Sequence, residues 1–174
     1  MTTPCSNYGY AVTTLNAQRI PDRVALSYRG QQFSYSELNT RVNITANALL
    51  TLGIQPGSRV GVLIHDALPI AECYLALAKI GATIVALNPY WSDEIMLAML
   101  KHCKVDAALT QTADRDRIAT LRVALPESII WLQLEADNLP ANTSSLSAAK
   151  GLNNDAEPIT TRGGDDPLAY FFTS

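Results

Sequence analysis

The side chains in this sequence best suited to chemistry are two adjacent carboxylates and two histidines. Asp93 and Glu94 are neighbours, and paired carboxylates can serve as a general acid and a general base. Ser92 precedes them, however, and a serine followed by acidic residues is typical of a helix start, where negative charge favours the helix dipole. His65 follows an apolar run and His102 lies in a basic segment, so we interpret them as a strand-end residue and a surface residue. These side chains therefore do not predict an acid–base pair.

Motifs for dinucleotides, phosphates and metals are missing from the sequence. No G-x-G-x-x-G follows an apolar run, and no G-x-x-x-x-G-K-[ST] occurs. Cys5, Cys73 and Cys103 are far apart and form neither a C-x-x-C pair nor a cluster with the histidines. We therefore expect reduced thiols, no bound metal within these residues and a cytoplasmic protein.

Composition excludes several other classes of protein. The chain has 174 residues, of which 48% are hydrophobic and 17% charged, as expected for one folded domain with a sizeable core. A net charge of −3 without a basic run predicts no nucleic-acid partner. The amino terminus lacks the pattern of a secretory signal, and the apolar runs are too short to predict a membrane span.

Strands and helices alternate along the chain and must position the polar side chains. Residues 24–34 predict a hairpin turning at Arg29–Gly30, and Ser34 with Glu37 forms the S-x-x-E capping box of a first long helix that stops at Gly53. Evenly apolar strands are then predicted at 59–64, 83–87, 107–110 and 129–134. Helices are predicted between them, at 70–80, 92–104 and 115–125. This order predicts an α/β fold: a mainly parallel sheet with crossover helices plus an N-terminal β-hairpin.

The last part of the chain changes in character. Residues 135–164 are rich in Asn, Ser, Thr, Asp and Ala, which predicts a loop or linker with a short helix near 146–150. An apolar strand at 168–172 follows the turn residues Asp165 and Asp166 and runs almost to Ser174. We therefore expect residues 1–174 to form a single, incomplete domain that contains the 135–164 region.

Three segments in fixed order resemble the first conserved blocks of the adenylate-forming (AMP-binding) superfamily. They are Phe33–Leu38 (FSYSEL), a middle block from Leu75–Ala82 (LALAKIGA) through Leu87–Pro89 (LNP) to Asp93–Ile95 (DEI), and Leu168–Ser174 (LAYFFTS). The resemblance covers roughly residues 20–174. This superfamily includes acyl-CoA and aryl-CoA synthetases, luciferases and the adenylation domains of peptide synthetases.

The resemblance implies an ATP- and Mg²⁺-dependent ligase. Its carboxylic acid substrate attacks the α-phosphate of ATP to form an acyl-adenylate, and coenzyme A or a carrier-protein phosphopantetheine then takes the acyl group. Thr173 and Ser174 match the opening pair of the family's phosphate-binding loop, where hydroxyls and backbone amides contact phosphate oxygens. The resemblance places no catalytic residue and no metal ligand within these 174 residues.

The remaining parts of such an enzyme fall outside the match, so the resemblance predicts that this chain alone is inactive. The rest of the enzyme is then expected to pack on strand 168–172, and an acyl-carrier protein is a further candidate partner. Asn88–Pro89 favours the CoA ligases over amino-acid-activating domains, which more often carry Asp-Pro there. Two alternatives remain: a non-catalytic, truncated relative that acts as a binding module through its last strand, and an unrelated nucleotide-binding α/β domain such as a flavodoxin-like protein.

Overall fold

The computed structural model describes residues 7–159, 162 and 165–172. An N-terminal helical segment comprises α1 (Tyr8–Tyr10), a π-helical turn (Ala11–Leu15) and α2 (Asn16–Arg19). The further helices are α3 (Tyr35–Thr51), α4 (Ala67–Ile80), α5 (Asp93–His102), α6 (Arg115–Arg122) and α7 (Leu146–Lys150). The strands are β1 (Val24–Tyr28), β2 (Gln31–Ser34), β3 (Arg59–Val62), β4 (Thr83–Ala86), β5 (Ala107–Thr110), β6 (Ile130–Gln133), β7 (Thr143–Ser145) and β8 (Ala169–Tyr170).

Six strands form one parallel sheet, and the first two form a separate antiparallel hairpin. The sheet order is β7-β6-β5-β3-β4-β8. From β3 the chain passes to β4 on one side, and then returns to β5, β6 and β7 on the other, so the strand order reverses between β3 and β5. The predicted fold class, a mainly parallel sheet with crossover helices and an N-terminal hairpin, is confirmed.

Helices cover both faces of the sheet. Val60 and Ile84 pack into a core cluster with α3, α4 and α7, whereas Leu63 and Val85 pack into a second cluster with α5 and α6. Side chains of successive strand residues point to opposite faces, so a strand with a helix layer on each side must be apolar throughout. All four residues of β5 are buried, which explains why these strands lack a polar alternation.

Local signals fixed several helix ends as predicted. The Ser34 hydroxyl accepts a hydrogen bond from the Glu37 amide (3.2 Å), and the Glu37 carboxylate accepts one from the Ser34 amide (2.7 Å). Gly81 follows α4 in the left-handed conformation, with φ of 74°. Left-handed φ values at Arg29 and Gly30 form the hairpin turn.

The region 135–164 holds more structure than predicted. The predicted short helix at 146–150 is present as α7, but Thr143–Ser145 also forms a strand, β7, beside β6. Three small polar residues carry no strand pattern, so this pairing depends on the neighbouring strand. The helix predicted at 70–80 begins earlier, at Ala67, so that Pro69 lies in its first turn. Backbone amides of a first turn have no acceptor within the helix, so a proline there costs no hydrogen bond. The last strand is shorter than the predicted 168–172 and contains only Ala169–Tyr170.

Candidate functional site

The polar side chains of interest collect at the carboxyl edge of the parallel sheet. His65 follows β3, Asn88 follows β4, Gln111 follows β5 and Glu135 follows β6. Strands of a parallel sheet all end at one edge, and ligands of open α/β sheets bind there, most often where the strand order reverses. This edge is therefore the candidate site, and its two halves differ.

The half beside β3 and β5 is closed by its own side chains. The His65 amide donates to Gln111 Oε1 (2.6 Å), and His65 Nε2 lies 2.8 Å from Asp114 Oδ2. Asp114 is buried in the 3₁₀ turn before α6, so its carboxylate holds the His65 ring in place. His65 is at the strand end, as predicted, but the sequence analysis missed its partner, which is 49 residues away.

A second set of hydrogen bonds closes the edge beside β5 and β6. Glu135 Oε2 accepts from the Thr112 amide (2.9 Å) and hydroxyl (3.0 Å). The buried Gln133 amide donates to the Thr112 hydroxyl (3.1 Å) and to the Asp137 carbonyl (2.8 Å). These polar groups satisfy one another, which suits a structural role.

The half beside β4 and β8 carries the last sequence block of the family resemblance. The Ile84 amide donates to the Leu168 carbonyl (3.0 Å), and Ile84 and Val85 pair with Ala169 and Tyr170. Phe172 then packs edge-on against Trp91, with ring centroids 5.6 Å apart. The predicted phosphate-contacting residues Thr173 and Ser174 come directly after Phe172 and lie outside the described residues.

The acidic pair Asp93–Glu94 belongs to the first turn of α5, as interpreted from the sequence. Asp93 forms an ion pair with Arg117 at 2.6 Å. A hydrogen bond from the Ser92 side chain lowers the pKa of Glu94, which disfavours the protonated form that a general acid needs. His102 is exposed in the last turn of the same helix, in agreement with its interpretation as a surface residue.

Two buried charges that the sequence analysis missed lie on the α4 side of the sheet. Glu72 is buried and forms ion pairs with Arg41 and with Lys150, whose ammonium lies 3.0 Å from the Glu72 carboxylate. All three side chains line a groove of about 530 Å³. The neighbouring Cys73 is free, and burial raises the pKa of its thiol to about 12. Cys73 is therefore a thiol at neutral pH and not a nucleophile.

The second buried charge is Lys79, within the middle sequence block. Its ammonium donates to Asn39 Oδ1 (2.7 Å) and Asn43 Oδ1 (2.5 Å) and lies 3.1 Å from Glu157 Oε1. Burial lowers the pKa of Lys79, and the carboxylate of Glu157 opposes that shift. Lys79 thus fastens the segment around Glu157 to helices α3 and α4.

In residues 7–159, 162 and 165–172, no group of three or more His, Cys, Asp and Glu side chains is placed to hold a metal ion. Within the same ranges, no helix combines the length and apolar character needed to cross a membrane.

The sequence matches the family model described as AMP-binding enzyme over residues 14–174. The chain therefore belongs to the AMP-binding enzyme family, as the three sequence blocks indicated. The first block lies at the junction of the hairpin and α3, the middle block runs from α4 through β4 to α5, and the third block contains β8.

Relatives of two kinds match the chain. Surfactin synthase subunit 1 of Bacillus subtilis (strain 168) is 41% identical over 158 residues, which cover 91% of this chain and 4% of that protein. The medium-chain fatty-acid–CoA ligase of Escherichia coli (strain K12) is 30% identical over 166 residues, which cover 91% of this chain and 29% of the ligase. The chain thus spans less than a third of the length of either relative.

A solved structure shows the same fold. The N-terminal domain of FACL13 from Mycobacterium tuberculosis superposes with a TM-score of 0.76 and 22% identity, covering 97% of this chain and 42% of that one. The two chains therefore share one fold.

Proposed function

We propose that this chain is the N-terminal portion of the large domain of an ATP- and Mg²⁺-dependent carboxylic acid ligase. The enzyme would form an acyl-adenylate and pass the acyl group to coenzyme A or to a carrier-protein phosphopantetheine. The observation that carries the proposal is the family match, which extends through Thr173 and Ser174. The relative named as a fatty-acid–CoA ligase supports coenzyme A as an acceptor.

The contribution of this chain is to bring the opening of the phosphate loop to the carboxyl edge of the sheet. β8 pairs with the buried β4, and the chain leaves that pairing two residues before Thr173. In the proposed enzyme, the hydroxyls of Thr173 and Ser174 donate to phosphate oxygens of ATP. The cations that stabilise charge on the α-phosphate come from the rest of the protein.

We further propose that residues 1–174 are one incomplete domain, inactive by itself, and that the remainder of the enzyme packs against residues 168–172. Leu168, Tyr170 and Phe171 are exposed, and Phe171 is 70% exposed. Exposed apolar residues on an edge strand mark a surface that binds another segment or chain. The same surface supports the alternative, a non-catalytic binding module. The free, buried thiols of Cys73 and Cys103 support a cytoplasmic location.

The test is ATP–pyrophosphate exchange with fatty, aromatic and amino acids as substrates. The protein extended beyond Ser174 should exchange, and the 174-residue chain should not. Replacing Thr173 and Ser174 together by Ala should lower kcat at least about 10²-fold, the effect of losing one donor to a developing charge. Thr120→Ala is the control, since this exposed hydroxyl donates only within α6, to the Asp116 carbonyl.

Each result decides between the candidates. Exchange by the isolated chain would refute its proposed inactivity. An extended protein that exchanges pyrophosphate with none of the acids would refute the ligase and favour the binding module. Full activity after the double replacement would refute the phosphate contact while leaving the ligase in place.

A further inference from the structure

Arg117 on α6 fastens the turn between β4 and α5 with all three of its guanidinium nitrogens. Nη1 donates to the Pro89 carbonyl (2.9 Å), Nη2 donates to the Trp91 carbonyl, and Nε donates to the Asp93 carboxylate (2.6 Å). The Arg117 side chain is only 19% exposed, so this arrangement is partly shielded from water. A planar guanidinium makes such bonds in fixed directions, which a lysine ammonium does not.

The turn held by Arg117 places the Trp91 ring against the Phe172 ring. Inside the turn, the Tyr90 amide donates to Asn88 Oδ1 (2.9 Å) and the Trp91 amide donates to the Asn88 carbonyl (3.1 Å). The Trp91 ring then meets the Phe172 ring at an interplanar angle of 69°, a favourable edge-to-face arrangement.

The contact matters because the backbone pairing ends before it. β8 contains only Ala169 and Tyr170, and its register with β4 stops at the Val85–Tyr170 pair. Phe171 is exposed, whereas Phe172 packs against the second core cluster. Beyond Tyr170, the described contacts of the chain are therefore those of the Phe172 ring, with Trp91 and with the second core cluster.

We propose that Arg117 is a positioning residue for ATP binding. It holds the Pro89–Asp93 turn so that Trp91 fixes Phe172, which directly precedes in sequence the proposed phosphate-contacting pair Thr173–Ser174. This inference rests on the proposed function. Arg117 itself touches neither the substrate nor the reacting atoms in this scheme, and it acts through the two aromatic rings.

The kinetic test uses the protein extended beyond Ser174 and measures ATP–pyrophosphate exchange. A displacement of about 1 Å lowers rates up to about 10²-fold, and the β4–β8 pairing still restrains the chain, so Arg117→Ala should raise the KM for ATP roughly tenfold. The KM for the carboxylic acid should stay within about twofold. A general loss of folded enzyme would lower the apparent kcat and leave both KM values unchanged, so it would not raise the KM for ATP alone. Arg117→Lys should be intermediate, and Arg115→Ala, at an exposed arginine of the same helix, should match wild type.

A spectroscopic test of the 174-residue chain follows the rings directly. Nuclear Overhauser contacts between Trp91 and Phe172 should be present in wild type and in Arg115→Ala, and absent in Arg117→Ala. If Arg117→Ala does not fold, Trp91→Ala takes its place in the kinetic test, because it removes the ring contact and keeps the bonds from Arg117 to the main chain. Trp91→Phe, which retains an aromatic edge, should recover most of the affinity for ATP.

The outcomes are separable. Ring contacts that persist in Arg117→Ala, or that vanish while the KM for ATP is unchanged, would overturn the inference. An extended wild-type protein without exchange would refute the proposed function and the positioning role with it, whereas the spectrum would still decide whether Arg117 holds the rings together.

Discussion

Replacement of Lys79 by Met tests whether a buried ammonium stabilises this fold. Lys79 is 1% exposed, and its ammonium is the donor to Asn39 and Asn43 and the ion-pair partner of Glu157. Methionine has a similar length and flexibility, so the change removes the charge and the donors without opening a large cavity.

The expected loss follows from what remains after the change. The Asn43 side chain is buried, so its amide oxygen is left without this donor, which costs about 1–3 kcal/mol. The Glu157 side chain is 35% exposed and regains water, so loss of the ion pair adds little. Removing a desolvated ammonium offsets part of the total. We therefore expect Lys79→Met to lower the free energy of unfolding by less than that full cost, on the order of 1 kcal/mol.

Urea unfolding of the 174-residue chain at neutral pH gives this difference. Lys101→Met is the matched control, because Lys101 is exposed in the last turn of α5 and its loss should change stability by less than about 0.5 kcal/mol. A Lys79→Met chain as stable as wild type, or more stable, would mean that the desolvation of the ammonium outweighs its hydrogen bonds.

The pH dependence gives a second measurement on the same pair of chains. Burial lowers the pKa of Lys79 below its ordinary value of 10.5, so between the two values the unfolded chain binds more protons than the folded one. The free energy of unfolding then rises with pH in that window. Wild type should gain stability relative to Lys79→Met as the pH approaches 10.5. A relative loss of stability would show that Glu157 raises the pKa of Lys79 by more than burial lowers it.

Two further predictions concern α3 and α4. Ser34→Ala removes the capping box and should lower the free energy of unfolding by about 1 kcal/mol in thermal or urea unfolding, whereas Ser36→Ala, at an exposed hydroxyl in the same first turn, serves as the control. Cys73, with a pKa of about 12, should resist alkylation by iodoacetamide at pH 8 in the native chain and react in urea; rapid labelling of native Cys73, located by mass spectrometry, would contradict its burial.

Sequence patterns sufficed for the elements whose signals are local. The apolar strands, the capping box of Ser34 and the left-handed Gly81 each depend on residues within one turn or strand, and the order of elements then limits the topology to a parallel sheet. β7 escaped prediction because Thr143–Ser145 has no apolar alternation and pairs only because β6 lies beside it. Its residues form a strand through tertiary context rather than propensity.

The sequence did not predict the side-chain ion pairs, for a different reason. Glu72 was visible only as an acidic residue in an apolar helix, and its partners Arg41 and Lys150 are 31 and 78 residues away. Lys79 lies within the middle family block, but nothing in that block shows that the Glu157 carboxylate reaches its ammonium. Such pairs depend on which helices the sheet brings together, so they follow from topology and not from spacing.

The two halves of the carboxyl edge differ in a way that bears on where chemistry occurs. At the reversal of strand order, where open α/β sheets commonly bind ligands, His65 and Asp114 bond to each other and Gln111 bonds to the His65 main chain. A ligand there would have to break these bonds. At the β4–β8 end, by contrast, the chain runs from a two-residue strand through the exposed Phe171 toward the predicted phosphate contacts, with Phe172 held by Trp91. The hydrogen bonds described at that end, those of Asn88 and Arg117, hold the turn between β4 and α5, so we expect the proposed site at the β8 end, beyond Phe172.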